Sequence, residues 1–234
     1  MAENPDTYLA HAVASSVSGF SIPVLNLGAL EIPDDKFGCS FILCGSTRSG
    51  KSTIMNYLYK KFFSGDYIST LMSNSLQSDA YNYVKKHCNT SDHYHPEVLK
   101  DCYRINHETK NKYKFLFIID DVTHTRHDKE IQRLMCLYRN SRMSCIVSGQ
   151  GLVMMDKLSR GNINYVMLGK MNSASEIERN IKEFLTAFFP TDMKMAAKIQ
   201  LYKELTADYC WLLIDNINGK IMRTKLRPEQ LIGS

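Results

Sequence analysis

Five short apolar runs, SFILC (40–44), YISTLM (67–72), KFLFII (114–119), MSCIVS (143–148) and INYVML (163–168), are separated by stretches whose apolar positions recur every three or four residues. Apolar runs without alternation are the pattern of strands buried on both faces, and the stretches between them are long enough for crossover helices. The chain therefore predicts an α/β fold with a mostly parallel central sheet flanked by helices. Helical spacing is firmest over 52–62, 129–138, 173–188 and 193–205. In the third of these, Ser173 stands three residues before Glu176 as a capping box, and Pro190 falls just past the end. Near the C-terminus, WLLIDNINGKIMRTKL sets Asn218 and Gly219 between two apolar runs, the signal of a hairpin with a two-residue turn within about 209–226.

Residues 1–36 break this rhythm. They are rich in Ser, Pro, Asn and small apolar residues and close on the turn-forming IPDDKFG, so they read as a loosely attached N-terminal arm ahead of a domain over 37–234. With 234 residues and 44% hydrophobic content, a single well-filled core is expected. The net charge of +5 suits an acidic partner but falls short of a protein that coats nucleic acid. Seven cysteines with no CxxC pair read as reduced thiols of an intracellular protein. Glu3 and Asp6 stand where a secretory signal would place basic residues, and no segment reaches the ~20 apolar residues of a membrane span. No membrane insertion is expected.

Candidate chemistry begins directly after the first strand. Gly45, Ser46, Thr47, Arg48, Ser49, Gly50, Lys51 and Ser52 fit G-x-x-x-x-G-K-[ST] at every fixed position, between a predicted strand and a predicted helix that continues through Thr53. The glycines let successive amides point inward at a β-phosphate, Lys51 would reach the β- and γ-phosphates, and the Ser52 hydroxyl would ligate Mg²⁺. Such a loop needs an acid at the end of a neighbouring strand. KYKFLFIIDDV supplies Asp120 to bind Mg²⁺ through water, and Asp121 to orient or deprotonate an attacking water in hydrolysis of ATP. YISTLM lies between the two motifs in sequence and is the candidate for the extra strand that separates additional-strand ATPases from small nucleotide kinases. Gln150 ends the fourth strand, where an amide can sense a γ-phosphate or the lytic water; a solvated loop residue is the plainer reading.

GSTRSGKS, FLFIIDD, and the run from Arg139 to Gln150, with an arginine eleven positions before a strand-terminal glutamine, together resemble the FtsK/HerA superfamily of DNA-pumping ATPases. The similarity is greatest to its viral branch, the poxvirus-type genome-packaging ATPases of large DNA viruses and virophages, and covers about residues 37–170. The resemblance implies a RecA-like, additional-strand P-loop NTPase. It would be an Mg²⁺-dependent ATPase assembled as a hexameric or pentameric ring and threading double-stranded DNA into a preformed capsid, with capsid or portal-region proteins as partners. It implies a location in the host cytoplasm, in a viral factory, with association to the virion. It carries Lys51 and Ser52 to phosphate and metal, Asp120 to Mg²⁺, Asp121 to water activation and Gln150 to sensing. Arg139 becomes the first candidate for an arginine finger reaching a neighbour's γ-phosphate, and Arg160 the second. Much of the superfamily has Glu where this chain has Asp121.

Other constellations keep two readings. Cys88, His93, His95 and Cys102 are residue types that bind zinc, but their spacing fits no finger pattern, and solvated histidines with buried thiols are the alternative. His124 and His127 follow the acid pair as a polar loop. Lys85, Lys86, Arg104, Lys110, Lys112 and Lys114, interleaved with Tyr83, Tyr103 and Tyr113, make either a surface for phosphate backbone or a solvated basic face. The rival to a motor is a P-loop nucleoside or nucleotide kinase, which needs an acceptor pocket and an arginine-rich lid. A third class is a slow nucleotide-dependent switch.

Overall fold

The computed structural model describes residues 13–14, 20–33, 36–121, 128–150 and 161–226. Among them a nine-stranded sheet runs β3-β11-β10-β9-β4-β8-β7-β5-β6. These are β3 (Val24–Leu25), β4 (Ser40–Cys44), β5 (Ile68–Ser73), β6 (Asn89–Ser91), β7 (Phe115–Asp120), β8 (Met143–Gly149), β9 (Tyr165–Leu168), β10 (Trp211–Asp215) and β11 (Lys220–Thr224). From β9 to β6 every pairing is parallel; β10 runs antiparallel to both β9 and β11. A separate antiparallel pair joins β1 (Val13–Ala14) to β2 (Ser21–Ile22).

Every residue of β4, β7 and β8 is buried, because helices cover both faces of the sheet. The strand period of two divides the core into two layers. Phe41, Leu43, Leu116, Ile118 and Ile146 face one layer with α1 (Lys51–Leu58) and α2 (Asn82–Lys85). Ile42, Cys44, Phe117, Ile119, Cys145 and Val147 face the other. That second layer is closed by α3 (Pro96–Glu108), α4 (Lys129–Cys136), α5 (Ala174–Asn180) and α6 (Met195–Leu205).

Four local expectations are corrected. The strand standing between β4 and the acid-bearing β7 is β8; β5 (YISTLM) lies beyond β7. The helix expected over 52–62 gives way at Tyr59 to a wide π turn through Phe63, which carries both of these aromatics into the core, and α5 widens in the same way over Ile181–Leu185. At the head of α5 no capping box forms, since the Ser173 hydroxyl pairs with that of Ser175 at 2.7 Å. The β10–β11 hairpin turns over four residues, 216–219, because Asp215 Oδ1 accepts the amides of Ile217 (2.9 Å) and Asn218 (3.0 Å).

Residues 20–33 of the N-terminal segment join the sheet and its core. β3 pairs with β11 at the sheet edge, and Ile22, Leu25 and Leu27 are buried in the core layers.

Candidate functional site

β4 ends at Cys44, and residues 45–50 cross the carboxyl edge of the sheet before α1 begins at Lys51. The entry to this loop is pinned to the strands on either side of β4. The Gly45 amide donates to the Gly149 carbonyl (3.2 Å), and the Ser46 amide and hydroxyl both donate to the Lys170 carbonyl (2.9 Å each). A Cβ on Gly45 would fall 2.4 Å from Ser49 Oγ and 3.2 Å from the Trp211 ring, so a side chain there would have to displace the Ser49 hydroxyl. Gly50 has φ 92°, in the left-handed region, and no side chain caps α1. The first amides of the helix are therefore left open, the arrangement that accepts an anion. Lys51, only 9% exposed, folds its Nζ back onto the carbonyls of Gly45 (2.8 Å) and Ser46 (3.1 Å). Ser49 Oγ is buried without a partner, an unused hydroxyl inside the loop.

The acids come from β7. Ser148, Asp120 and Ser73 sit side by side in register on β8, β7 and β5, a buried polar row where three apolar strands end. Asp120 is 2% exposed and its two oxygens accept from the hydroxyls of Ser148 and Tyr81. The Tyr81 hydroxyl also accepts from Ser73 Oγ (3.3 Å) and interacts with Ser52. Burial and the Asp120 charge hold the Tyr81 phenol above its usual pKa, so it remains a donor. Asp121 follows with φ 51°, its amide donating to the Ser148 carbonyl at 3.2 Å. Its pKa is raised by burial first and by the Asp120 charge second, against the opposing pull of Lys51.

These two halves line one cleft of about 300 Å³, with Thr47, Arg48, Lys51 and Ser52 on the loop side and Asp120 and Asp121 across from them. A hydroxyl and a carboxylate facing one space are hard oxygen donors, the chemistry that suits Mg²⁺, and the open amides with the Lys51 ammonium suit phosphate. Among the described residues no group of three or more His, Cys, Asp and Glu side chains gathers as a metal site. Cys88 packs in the α1 layer and Cys102 in the opposite one, so the sheet separates two members of the zinc candidate.

The remaining candidates are divided between the two edges of the sheet. Gln150 is exposed at the carboxyl edge, one residue past the Gly149 carbonyl that holds Gly45. Arg139 lies at the amino edge, in the turn Tyr138–Ser141 that leads into β8, and its carbonyl accepts from the Gly38 amide at 2.6 Å. The length of β8, roughly 20 Å, separates it from the loop of its own chain. The basic residues Lys110, Lys112 and Lys114 also precede a strand, β7, at that amino edge. Lys114 pairs with Asp66 (3.3 Å), Arg104 with Asp101 (3.0 Å), and Tyr103 stacks on Tyr138. Arg160, His124 and His127 lie outside the described residues.

Sequence reasoning missed Tyr81, Ser73 and Ser148. A serine interrupting the apolar run before Gln150 is a faint signal for Ser148; nothing local marks Tyr81, which reaches Asp120 from 39 positions away.

With β8 between the loop strand and the acid strand, the fold is that of a RecA-like, additional-strand P-loop NTPase. Neither a protein-family model nor a curated protein sequence matches the chain. Solved structures do. The DNA-packaging ATPase B204 from Sulfolobus turreted icosahedral virus aligns over 84% of this chain and 100% of its own, with TM-score 0.62 and 14% identity. The genome-packaging NTPase B204 from Sulfolobus turreted icosahedral virus 2, in complex with ATPγS, covers 82% of this chain and 98% of its own at TM-score 0.56 and 16% identity. The pCW3 conjugation coupling protein TcpA, also with ATPγS, covers 86% of this chain and 66% of its own at TM-score 0.55 and 10% identity. Among the described residues no helix is long and apolar enough to cross a membrane.

Proposed function

We propose that this chain is an ATP-hydrolysing motor of the FtsK/HerA type that moves viral double-stranded DNA into a preformed capsid, with its greatest likeness to the poxvirus-type branch. The observation that carries the reading is the single cleft shared by Lys51 and Ser52 with Asp120 and Asp121, built with β8 interposed. That strand order also weighs against a nucleoside or nucleotide kinase, whose acid is expected on the strand adjoining the loop. Further support comes from the likeness to B204, a packaging ATPase matched along its entire length.

In this reading Lys51 exchanges its two carbonyl acceptors for β- and γ-phosphate oxygens, while the open amides of the loop hold the β-phosphate. Ser52 and, through water, Asp120 would hold Mg²⁺, which supplies charge neutralisation on the phosphate oxygens when bound. Tyr81 and Ser148 orient the Asp120 carboxylate by donating to both of its oxygens. Asp121 takes the proton of the attacking water as its oxygen bonds to the γ-phosphorus and the bond to the β-phosphate oxygen breaks. Gln150 senses the γ-phosphate. Arg139, too far from its own loop, serves a neighbouring copy in a hexameric or pentameric ring, and Arg160 is the second candidate for that task. Capsid or portal-region proteins complete the assembly, in the host cytoplasm and on the virion.

The test is ATP hydrolysis with and without duplex DNA. Stimulation by DNA that disappears in Lys51→Ala, from particles whose mass is a multiple of 26.8 kDa, is the expected outcome. An active monomer indifferent to DNA, or transfer of labelled phosphate to a nucleoside, overturns it.

A further inference from the structure

A second cavity, of about 410 Å³, adjoins the phosphate cleft and shares Gly50 and Thr53 with it. Its walls are otherwise almost wholly apolar: Ile54 from α1, Trp211 from β10, Leu226 beyond β11, and the ring of Tyr209 at the mouth. Trp211 is a fixed wall. It is 1% exposed and wedged between two glycines, since a Cβ on Gly45 would lie 3.2 Å from its ring and one on Gly169 would lie 2.8 Å from it.

Tyr209 is the opposite case. It is 67% exposed, and it and Asp208 both take positive φ (59° and 53°) in a turn closed by the Cys210 amide on the Ala207 carbonyl at 3.0 Å. This strained turn brings the Tyr209 ring within 3.6 Å of where a Cβ on Gly50 would stand. An aromatic ring left in water at the rim of an apolar cavity, one residue from an anion-binding helix start, is placed to cover a flat apolar group joined to a phosphate chain.

We propose that Tyr209, Trp211, Ile54 and Leu226 form a nucleobase clamp that holds the base by stacking on Tyr209 and apolar contact with the other three, so that the site admits both ATP and GTP with a preference of no more than about 200-fold. The proposal rests on the reading of residues 45–53 as a triphosphate loop. Continuity through Gly50 and Thr53 selects a base over any unconnected apolar ligand, because one molecule then spans both cavities. The weak selectivity follows from the lining. Sites that read a substrate by hydrogen bonds reject the wrong one by roughly 10⁴-fold or more, whereas apolar pockets discriminate by about 10- to 200-fold. The Lys225 ammonium, on an exposed side chain, is the charged group of the lining.

Calorimetric titration with Mg²⁺ and ATPγS, GTPγS or inorganic tripolyphosphate tests the clamp on the full chain. Tyr209→Ala, at an exposed turn outside the core, is expected to weaken ATPγS and GTPγS by about tenfold while leaving tripolyphosphate unchanged; Tyr209→Phe keeps both within about twofold. Trp211 is the chain's one tryptophan, so its fluorescence should change with either nucleotide and stay constant with tripolyphosphate. Unchanged nucleotide affinity in Tyr209→Ala, an equal loss for tripolyphosphate, or a preference between the two purines above about 200-fold overturns the proposal. Lys51→Ala separates this from the reading beneath it: if that variant binds ATPγS as well as the native chain, or if the native chain binds no nucleotide, the phosphate loop itself has failed and the clamp with it.

Discussion

α1 follows β4 and α4 follows β7, two parallel strands with β8 between them, and the first turns of the two helices are finished in opposite ways. Asp128 caps α4, its Oδ1 accepting the amides of Glu130 (2.8 Å) and Ile131 (3.0 Å) and the hydroxyl of Tyr94 (2.7 Å). α1 has Gly50 at the same position and no side-chain acceptor at all. A capping carboxylate is typically worth about 1 kcal/mol, so α1 forgoes stability that α4 collects. The difference teaches where an acceptor is supplied by the chain and where it is left to come from outside.

The sharpest way to break the comparison is to remove the cation at the open helix. Lys51→Ala is expected to lower kcat/KM for ATP by about 10²- to 10³-fold, measured by phosphate release, with the thermal midpoint little changed. Next comes the base. Asp121→Asn should cost about 10²-fold in kcat and flatten the acid limb of the pH–rate profile. In the native chain that limb should be shifted upward, the direction in which burial and the Asp120 charge move the folded pKa. The linkage has a matching sign. The folded state holds the Asp121 proton more tightly than the unfolded one, so this group favours folding at low pH and loses that contribution as pH rises through its folded pKa.

A smaller effect is expected where both geometry and anion are involved. Gly50→Ala forces a side chain onto φ 92° at a cost of about 1–3 kcal/mol, read as a lower thermal midpoint, and weakens ATPγS in calorimetry by displacing the open amides. The smallest change is on the capped side. Asp128→Ala should destabilise by about 1 kcal/mol, lowering the midpoint by about 2–4 °C, and leave nucleotide affinity as it was. If Asp128→Ala weakened nucleotide as strongly as Gly50→Ala, the contrast between the two helix starts would be lost.

What could be read from the chain alone follows from how local each feature is. β4, β7 and β8 are covered on both faces, so their unbroken apolar runs stand out, and residues 45–52 spell the G-x-x-x-x-G-K-[ST] pattern in consecutive positions. Sheet order is not local: β5 and β8 have equally apolar sequences, and only the assembled sheet puts β8 beside the phosphate loop. The setting of Asp120 depends on register across three strands and on Tyr81 arriving from a separate turn. The clamp residues are more remote still, with Tyr209 and Trp211 some 160 positions beyond Gly50. The four-residue hairpin and the missing capping box turn on which oxygen a side chain selects, Asp215 for its following amides and Ser173 for Ser175. Residue type permits those choices without deciding them.

The big sheet tapers to stubs: β3 at one border has two residues and β6 at the other has three, with Asn89 and Thr90 bare to solvent. Such fringes offer too few free peptide groups for another polypeptide to zip on. In the ring proposed above, copies would thus meet through side chains and loops, contacts that can slide and re-form, rather than through a continuous ladder that would weld them together.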